Sequence, residues 1–568
     1  MIEHFAPISG VSVYNKGLHP LIATAGYDNQ VILWDASLGT SISRGMHDHL
    51  VNHCDFSPCG KFLVSASSDY SARLWSVPEM RLVAVLQGHT DDVMQVKFAP
   101  NGKYIATCSY DGSIGLFTAE GESICFFKGH QGLIESIDWS VDSQSIISCG
   151  TDSTIREWDI QAKQQVSQLK IDNYDIDAIV VLSDKNLLSG DDRGIITLWD
   201  QEGKKLTDYQ AHNSGIKRIV VDYNSQQVVS LGYDQKIIVW KYECGELIEI
   251  QNSSFLNSIW ARSCAFLDES NLVLSTFGST YALWSFPENK WYLKNYRSSK
   301  SLNALDVHSN QIYAIGDAGI VVHQGKLTSC GSKSLSNFIK VTPVGTFVGG
   351  QTGEIIETTK NTLIYKHSSP LNCCITFVKN ATLYLAIGCY SGDILIVELT
   401  QTGEVSGIEK YTLHTNAIKG IAFYNAQLYT GSASGEMCSF SVENMSVRKR
   451  IHEAHTSILN GICAYEKGLA TISRDLTLAL WDEDLNLKDR IPSRHKFSIK
   501  SIAASLTGSV IATGSYGGTI DLFDVSEKIW IGNIQRPSMS GISSICWHDG
   551  LQKFVASSYD GHVYHVDV

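Results

Sequence analysis

A spacing that repeats along the whole chain is the strongest constraint on its fold. Segments in the first half end on an aromatic residue, and most of these ends lie 41 or 42 residues apart. They are Trp34, Trp75, Phe117, Trp158, Trp199, Trp240 and Trp284. The same offsets continue, in degenerate form, at His323, Thr358, Val397, Phe440, Trp481, Phe523 and Val566. Fourteen segments at one period indicate a repeat architecture.

Each segment has the composition of short β-strands separated by tight polar turns. In the fourth segment, residues 145–149 and 154–158 are rich in apolar and β-branched side chains, and Thr151-Asp152-Ser153 lies between them. Two such runs around a small polar turn predict a β-hairpin. We therefore expect an all-β chain.

Four positions recur at fixed offsets within a segment: a histidine, a serine or threonine, an aspartate and a tryptophan. The five sets are His4/Thr24/Asp28/Trp34, His47/Ser65/Asp69/Trp75, His130/Ser148/Asp152/Trp158, His212/Ser230/Asp234/Trp240 and His455/Thr471/Asp475/Trp481. A buried indole N–H, an imidazole and a hydroxyl each need a hydrogen-bond partner, and a carboxylate fixes the imidazole tautomer. Because a hydrolase triad occurs once in an enzyme, this repetition favours a structural role over catalysis.

The period and the dipeptides at the segment ends, such as Gly129-His130 and Trp158-Asp159, resemble WD40 repeats along the whole chain. The resemblance implies one four-stranded blade per segment. Fourteen blades imply two tandem seven-bladed WD40 β-propellers, expected at residues 1–289 and 290–568. In the family, the four recurring side chains form a hydrogen-bond chain within one blade.

The chain ends suggest how each ring closes. A first blade that begins near Ile8 leaves residues 1–5 spare, whereas the last segment lacks an outermost strand. We expect residues 1–5 to complete the blade of Trp284 and residues 290–296 to complete the blade of Val566. The alternative has residues 1–5 closing the second ring. Either closure removes sheet edges that would otherwise pair with other chains.

The negative charge is concentrated in the first half. Residues 1–290 carry 35 acidic and 21 basic side chains, and residues 291–568 carry 23 and 24. By the geometry that the resemblance implies, one face of the first propeller gathers Asp48, Asp91, Asp92, Glu135, Asp172, Asp175, Asp177, Asp191 and Asp192. Such a face would attract basic segments of a protein partner and repel nucleic acid. The alternative is an acidic surface that serves solubility alone.

Tyrosine often precedes the turn aspartate or its equivalent. In WD40 proteins this position faces the same surface and contacts partners, and tyrosine is frequent at binding hot spots. The alternative is packing against the neighbouring blade. The candidate partner-binding residues are therefore Tyr27, Asp91, Asp92, Tyr110, Asp175, Asp192, Tyr233, Tyr390, Tyr516 and Tyr559.

Motifs of catalysis and cofactor binding are absent from the sequence. It has no phosphate-binding loop, dinucleotide fingerprint or HExxH motif, and its fourteen cysteines include no CxxC pair. We therefore expect no enzyme activity, cofactor or metal. Cysteines within strand runs, a start that does not resemble a signal peptide and the lack of a transmembrane-length run predict a soluble, cytoplasmic protein.

The prediction for function is a scaffold that presents two propeller faces to protein partners, without membrane binding. Two alternatives stay open. One is a regulatory or sensor subunit of a larger NTPase, protease or ubiquitin-type complex. The other is a cofactor of actin-filament disassembly, because the length and the repeat number resemble the actin-interacting protein 1 family. Fold alone does not choose among them.

Overall fold

The chain folds into two compact units, Met1–Ser298 and Ser299–Val568. The structure, a computed structural model, describes residues 2–17, 19–171, 174–256, 258–293, 296–297, 301–316, 319–324, 326–330 and 335–568. Strands dominate both units, and the helical structure within these ranges is one 3₁₀ turn, Asp549–Leu551. Nowhere in the described part of the chain is a helix long and apolar enough to cross a membrane.

The N-terminal unit contains seven four-stranded sheets. Their strands, four per sheet in chain order, are β1 Ile8–Tyr14, β2 Leu21–Gly26, β3 Gln30–Asp35, β4 Thr40–Met46; β5 Val51–Phe56, β6 Phe62–Ser67, β7 Ala72–Ser76, β8 Leu82–Leu86; β9 Val93–Phe98, β10 Tyr104–Ser109, β11 Ser113–Thr118, β12 Ser123–Lys128; β13 Ile134–Trp139, β14 Ser145–Gly150, β15 Thr154–Asp159, β16 Gln164–Lys170; β17 Ile176–Val181, β18 Leu187–Asp191, β19 Ile195–Trp199, β20 Lys205–Gln210; β21 Ile216–Asp222, β22 Gln227–Gly232, β23 Lys236–Glu243, β24 Glu246–Ser254; β25 Ile259–Phe266, β26 Asn271–Thr276, β27 Ala282–Ser285 and β28 Lys290–Tyr292.

The C-terminal unit contains six sheets of four strands and a last sheet in which three strands are described. Its strands are β29 Leu302–His308, β30 Gln311–Gly316, β31 Ile320–His323, β32 Lys326–Ser329; β33 Ser336–Thr342, β34 Gly345–Gly350, β35 Glu354–Glu357, β36 Thr362–Lys366; β37 Leu371–Lys379, β38 Thr382–Cys389, β39 Asp393–Leu399, β40 Val405–Thr412; β41 Ile418–Tyr424, β42 Gln427–Ser432, β43 Met437–Ser441, β44 Ser446–Ile451; β45 Leu459–Tyr465, β46 Gly468–Ser473, β47 Thr477–Trp481, β48 Leu487–Pro492; β49 Ile499–Ala504, β50 Val510–Ser515, β51 Ile520–Asp524, β52 Ile529–Gln535; β53 Ile542–His548, β54 Lys553–Ser558 and β55 Val563–Val566.

The fourth sheet shows how the sequence pattern produces a sheet. Strands β13 to β16 pair antiparallel with their chain neighbours. Most side chains of the first three strands are buried, whereas six of the seven residues of β16 are exposed. The turn between β14 and β15 holds Ser153 at φ +58°, the left-handed conformation that tight turns require. The fourth segment therefore has one exposed outer strand and three strands that pack inside the unit.

The apolar core of each unit lies between neighbouring sheets. Burial of this apolar surface is the main force that holds the sheets together. In the N-terminal unit, Ile8 of the first sheet and Val273 of the seventh belong to one buried cluster. In the C-terminal unit, Leu302 of the first sheet and Val555 of the seventh share another. In each unit the first sheet thus lies against the last, and the first strands of the sheets, called inner strands below, lie side by side.

Strand β28 corrects the expected ring closure. It pairs antiparallel with β27, and Trp291 lies opposite Trp284. The two indole rings stack with their centroids 5.4 Å apart, a contact that favours this local hairpin. The seventh sheet is therefore completed by the chain that directly follows it, and residues 290–292 belong to the N-terminal unit rather than to the last blade.

Residues 2–5 contain no strand, so they do not complete the seventh sheet. The His4 N–H donates to the Ser279 carbonyl at 3.0 Å, which places this segment beside that sheet. Met1 and residues 294 and 295 of the segments expected to close the rings lie outside the described residues. The last sheet, β53 to β55, pairs with neither segment within the described ranges. Fourteen four-stranded blades were expected, and thirteen of the described sheets have four strands.

Candidate protein-interaction faces

The five predicted sets of four side chains are each brought together within one sheet. In the fourth sheet, the Trp158 indole N–H donates to Ser148 Oγ at 2.8 Å, and His130 Nε2 lies 2.8 Å from the same oxygen. His130 Nδ1 lies 3.0 Å from Asp152. When Nδ1 carries the proton, the indole donates to the hydroxyl, the hydroxyl to the imidazole and the imidazole to the carboxylate. The other four sets repeat these contacts.

The hydroxyl member of each set is enclosed inside its sheet. In the second sheet, Ser65 Oγ accepts the Trp75 indole N–H at 2.8 Å and lies 2.7 Å from His47 Nε2. Both of these hydrogen-bond partners belong to the same set, so the hydroxyl makes these bonds within its own sheet. The five residues that hold this place are all 0% exposed: Thr24, Ser65, Ser148, Ser230 and Thr471. Hydroxyls that are closed off from solvent in this way are not available to a substrate or a partner.

Asp28 is more deeply buried than the aspartates of the other four sets. It is 1% exposed, whereas those four are half-buried at their turns. Its carboxylate lies 2.9 Å from His4 Nδ1 and accepts bonds from the Gln30 side-chain amide at 2.8 Å and the Phe5 N–H at 3.0 Å. The Gln30 side chain, itself 1% exposed, therefore closes this set off from solvent.

The histidine of the sets corrects the expectation of fixed offsets. The hydroxyl residue precedes the tryptophan by 10 residues in all five sets. The histidine precedes the hydroxyl residue by 18 residues in three sets, but by 20 at Thr24 and by 16 at Thr471. The histidine lies four residues before its inner strand in all five sets, and the hairpin from the second to the third strand keeps its length, whereas the loop between the inner strand and the second strand varies. The contact is kept because the loop, and not the sheet, absorbs the difference.

The protonation states of His47 and Asp69 in the second sheet fit a fixed structural contact. Burial raises the pKa of Asp69, but hydrogen bonds from His47, Ser71 and the Asp48 N–H together bring it well below its usual range. Burial lowers the pKa of His47 despite its bond to Asp69. A neutral imidazole therefore faces an ionised carboxylate, and both ring nitrogens are engaged inside the sheet.

The third sheet contains a related set that the sequence reasoning missed. His89 Nδ1 lies 3.0 Å from Asp111, and His89 Nε2 lies 2.7 Å from Thr107 Oγ1. Phe117 occupies the place of the tryptophan, and its side chain has no N–H to donate. The histidine and the aspartate keep the offsets of the set in the fourth sheet, so a search that did not require tryptophan would have found them.

The six candidate tyrosines occupy equivalent places in six sheets. Each follows the second strand of its sheet, and its N–H donates to the carbonyl of the residue directly before the inner strand, at 2.9–3.1 Å. The donor and acceptor pairs are Tyr27–Pro7, Tyr110–Asp92, Tyr233–Gly215, Tyr390–Pro370, Tyr516–Ser498 and Tyr559–Gly541. All six side chains are half-buried. We call these places turn positions, and the end of each unit where its inner strands begin the upper face.

The same backbone bond fixes other side chains at the upper faces. Asp192 holds the turn position of the fifth sheet, and its N–H donates to the Asp175 carbonyl at 3.2 Å. This bond brings together two acidic residues that are distant from each other in their segment. The remaining described turn positions are Ser68, Thr151, Phe277, Gln351, Ala433 and Arg474.

A second set of upper-face residues lies at bulges of the inner strands. The pairing of these strands skips one residue directly after the first, and such bulges redirect a side chain. These bulge positions are Ser9, Asn52, Met94, Glu135, Asp177 and Lys217 in the N-terminal unit, and Asn303, Asn337, Asn372, Lys419, Asn460, Lys500 and Ser543 in the C-terminal unit.

Bulge residues from three adjacent sheets form a charge cluster in the N-terminal unit. Lys217 Nζ lies 3.1 Å from Glu135 Oε2 and 3.3 Å from Asp177 Oδ2, and all three side chains are at most 14% exposed. The Tyr110 hydroxyl donates to Glu135 Oε1 at 2.7 Å. Glu135 and Asp177 are thus compensated inside the protein, which corrects the expectation that they form open acidic surface.

Three carboxylates around this cluster hold their protons unusually tightly. Burial raises the pKa of Asp175 to about 7, and the charges of Asp177 and Glu135 add to the effect. Burial raises the pKa of Asp177 to about 6 against the charge of Lys217. Desolvation and then its acidic neighbours raise the pKa of Asp192 to about 9, although this residue is exposed to solvent. The region has more carboxylates than nearby cations.

The first and seventh sheets contribute an aromatic corner to the same face. Tyr27 packs edge-on against Trp260, with ring centroids 5.2 Å apart. The Arg262 guanidinium lies 5.7 Å from the Tyr27 ring and 5.2 Å from the Trp260 ring. Such cation–π geometry holds the guanidinium over apolar surface. Tyr27 therefore packs partly against the neighbouring sheet, as the alternative interpretation of the tyrosines predicts.

Asp92 corrects another expectation about this face. Its side chain is 5% exposed, and Asp91 is half-buried, so the pair does not form an open acidic patch. The Asp92 carbonyl accepts the turn-position bond from Tyr110. Asp48, by contrast, is 77% exposed and pairs with Arg73 at 2.6 Å. Asp172 lies outside the described residues.

The upper face of the C-terminal unit combines tyrosine with lysine. Lys419 Nζ lies 4.3 Å from the centroid of the Tyr390 ring, and Lys500 Nζ lies 6.0 Å from that of Tyr516. Tyr516 stacks on Tyr559 with centroids 6.3 Å apart. Each lysine thus lies near the ring of one candidate tyrosine, and the third candidate of this unit, Tyr559, stacks on Tyr516.

The described parts of the chain contain neither a candidate metal site nor a disulfide bond. No group of three histidine, cysteine or acidic side chains within those ranges could hold a metal ion. All fourteen cysteines are free thiols.

Comparison with known families agrees with this architecture. The family model of the IFT122 first beta-propeller matches residues 1–241, and that of the WD domain, G-beta repeat matches residues 489–524. The matched ranges fall in both units and contain the repeated sheets described above. The chain is a WD40-repeat propeller protein. In this family, propellers mediate contacts between proteins.

Named relatives match parts of the chain. It is similar to WD repeat-containing protein 1 of Gallus gallus (29% identity; 38% of this chain and 37% of that protein). It is also similar to Target of rapamycin complex subunit wat1 of Schizosaccharomyces pombe (25%; 39% and 74%) and to Actin-interacting protein 1 of Drosophila melanogaster (22%; 43% and 43%). The chain spans less than half the length of the chicken and fly relatives that it matches.

Proposed function

We propose that the protein is a non-enzymatic scaffold whose two units are seven-bladed propellers, each of which presents its upper face to partner proteins. The common placement of the six tyrosines supports this proposal most strongly. Their main chain is already fixed by a hydrogen bond and their rings are half-buried. Binding through such preorganised aromatic side chains loses little conformational entropy.

For the N-terminal propeller, the partner is a segment rich in lysine or arginine. Its upper face holds Glu135, Asp175, Asp177 and Asp192 around Lys217. A cation placed beside Asp175 and Asp192 would favour their ionised forms. Binding of a basic segment would therefore release protons near neutral pH and become tighter as the pH rises from 6 to 8.

A 12-residue lysine- and arginine-rich peptide tests this assignment on the intact protein. We expect the variant Asp175→Asn/Asp192→Asn to bind at least tenfold more weakly. Its matched control, Glu120→Gln/Glu202→Gln, makes the same acid-to-amide change at exposed turns and should change binding less than twofold. Calorimetry in buffers of different ionisation enthalpy reports the proton release. Equal affinities of the two variants, or binding without proton release, would refute the assignment.

The scaffold proposal itself is tested by pull-down from the native source with the full chain. Specific proteins retained by wild type and lost with an upper-face variant of either unit support it. Retention of identical proteins by wild type and by variants of both faces contradicts it. Thermal melting of each variant checks that folding is intact.

The names of the relatives favour two narrower versions of the proposal. Actin-interacting protein 1 and the Target of rapamycin complex subunit wat1 suggest an actin-directed cofactor and a subunit of a larger complex, respectively. Co-sedimentation of the purified protein with filamentous actin separates the first from the second. We place the protein in the cytoplasm, because its fourteen free thiols fit a reducing compartment.

A further inference from the structure

The upper face of the C-terminal unit is rich in cations and amides. Its seven bulge positions hold four asparagines, two lysines and a serine, and none holds a carboxylate. Its described turn positions add Arg474 and three tyrosines, again without a carboxylate. Asp317 directly follows the second strand of the first sheet in sequence and lies outside the described residues.

The asparagines at the bulge positions link neighbouring inner strands. The side-chain amides of Asn337, Asn372 and Asn460 each donate, at 2.7 Å, to the carbonyl of the first residue of the next inner strand. This shared contact gives the asparagines a structural role. The two lysines stand at the same register, but their ammonium groups lie over tyrosine rings, so they are the residues of this set that are suited to a ligand.

Lys419 and Lys500 come from different sheets yet act on one region. Burial raises the pKa of Cys373, on a third inner strand, to about 12, and the charges of both lysines oppose this rise. Both ammonium groups are therefore within electrostatic reach of one side chain. Both lysines are half-buried, and such partly desolvated charges interact more strongly with an anion than fully hydrated ones do.

The tyrosine pair supplies apolar area beside these charges. Tyr516 and Tyr559 stack with their ring planes 16° apart. Gly541 lies between their backbones, and a Cβ there would come within 3.1 Å of Tyr516 Cα and of the Tyr559 ring. A residue without a side chain at this point lets the two rings approach and form one continuous aromatic surface.

We propose that this face binds an acidic peptide segment, with carboxylates at Lys419 and Lys500 and an apolar side chain on the Tyr516–Tyr559 pair. This inference rests on the proposed scaffold function and names the partner chemistry of its second face. Charge complementarity supports it, because Lys419, Lys500 and Arg474 occupy bulge and turn positions of this face, and none of its described bulge and turn positions holds a carboxylate. The site proposed for the N-terminal unit, with Asp175 and Asp192, has the opposite preference.

Fluorescence anisotropy with the full chain tests the proposal. The probe is a labelled 12-residue peptide of glutamates with two leucines, measured at low salt. We expect wild type to bind it and Lys419→Met/Lys500→Met to bind at least tenfold more weakly. The control Lys326→Met/Lys467→Met loses the same charge at exposed positions outside the bulge and turn sets, and should bind within twofold of wild type. Tyr516→Ala should weaken binding while Asp175→Asn/Asp192→Asn leaves it unchanged.

Three outcomes would overturn the proposal. They are no binding by wild type, equal loss in the face and control variants, and tighter binding of a single-stranded RNA 12-mer at the same lysines. Melting temperatures within a few degrees of wild type show that a loss of binding is not a loss of folding. The scaffold proposal is judged separately by the pull-down and by the basic peptide, whose binding does not use Lys419 or Lys500.

Discussion

Replacing Thr24 and Thr107 by valine measures the contribution of the tryptophan to the buried hydrogen-bond sets. Both threonines are fully buried in the N-terminal unit. Thr24 Oγ1 lies 2.8 Å from His4 Nε2, and Thr107 Oγ1 lies 2.7 Å from His89 Nε2. Thr24 also accepts the Trp34 indole N–H at 2.7 Å. The third sheet has a phenylalanine at that place, so the same substitution there loses one bond fewer.

The expected costs follow from the groups left without a partner. A buried polar group that loses its partner costs about 1–3 kcal/mol, and valine matches the shape of threonine. Thr107→Val leaves the His89 nitrogen unsatisfied and should lower the free energy of unfolding by about 1–3 kcal/mol. Thr24→Val leaves both an imidazole nitrogen and an indole N–H, and should cost about 2–5 kcal/mol.

Urea unfolding of the full chain, followed by tryptophan fluorescence, gives both values. Since both sites lie in one unit, the two variants shift the same transition, and unchanged slopes in urea show that the unfolded states are comparable. Equal destabilisation by the two substitutions would refute the reasoning, because it would mean that the indole bond adds nothing. A double variant Thr24→Val/Trp34→Phe should recover part of the difference.

Three further experiments probe the charge cluster and the thiols. Asp175→Asn should stabilise the protein more at pH 8 than at pH 5, as measured by urea unfolding. The pKa of Asp175 in the folded protein, about 7, exceeds the unfolded value of about 4, so the wild-type protein loses stability as the pH rises between these values. Lys217→Met should lower the free energy of unfolding by about 3–5 kcal/mol, because it leaves buried carboxylates uncompensated. Adding Glu135→Gln to this variant should restore part of the lost stability, and the absence of any recovery would contradict the explanation. Cys59 and Cys244 should react first with a thiol reagent in timed mass spectrometry, because the other twelve thiols are less exposed; earlier labelling of a buried thiol would exclude this order.

The all-β repeat fold was predictable because the period is carried by residues whose burial is obligatory. Trp34 and Trp158 keep fixed offsets because each is buried in the apolar cluster between its own sheet and an adjacent sheet. The boundary between the units Met1–Ser298 and Ser299–Val568 lies later than the predicted boundary after residue 289, because β28 pairs with β27. Strand β28 has only three residues. So short a strand has no periodicity to recognise, and its pairing depends on the contact of Trp291 with Trp284.

The candidate site was predictable in place but not in charge state. The sequence offsets located the turn positions, because the backbone bond that fixes them follows the period. They could not show that Asp92 is buried, whereas Asp175, at the equivalent place in the fifth sheet, is half-buried. They also could not show that Lys217 neutralises Glu135, because the two are 82 residues apart and meet only when their sheets adjoin.

The turn-position bond has a consequence for how such a chain can change its partners. Because only main-chain atoms make the bond, the position accepts side chains as different as Tyr27, Asp192, Ala433 and Arg474 without altering the strand that follows. Recognition and folding therefore depend on different atoms of the same residue at these sites. Individual residues of an upper face can therefore be substituted, by natural mutation or by design, while the sheets beneath them keep their register.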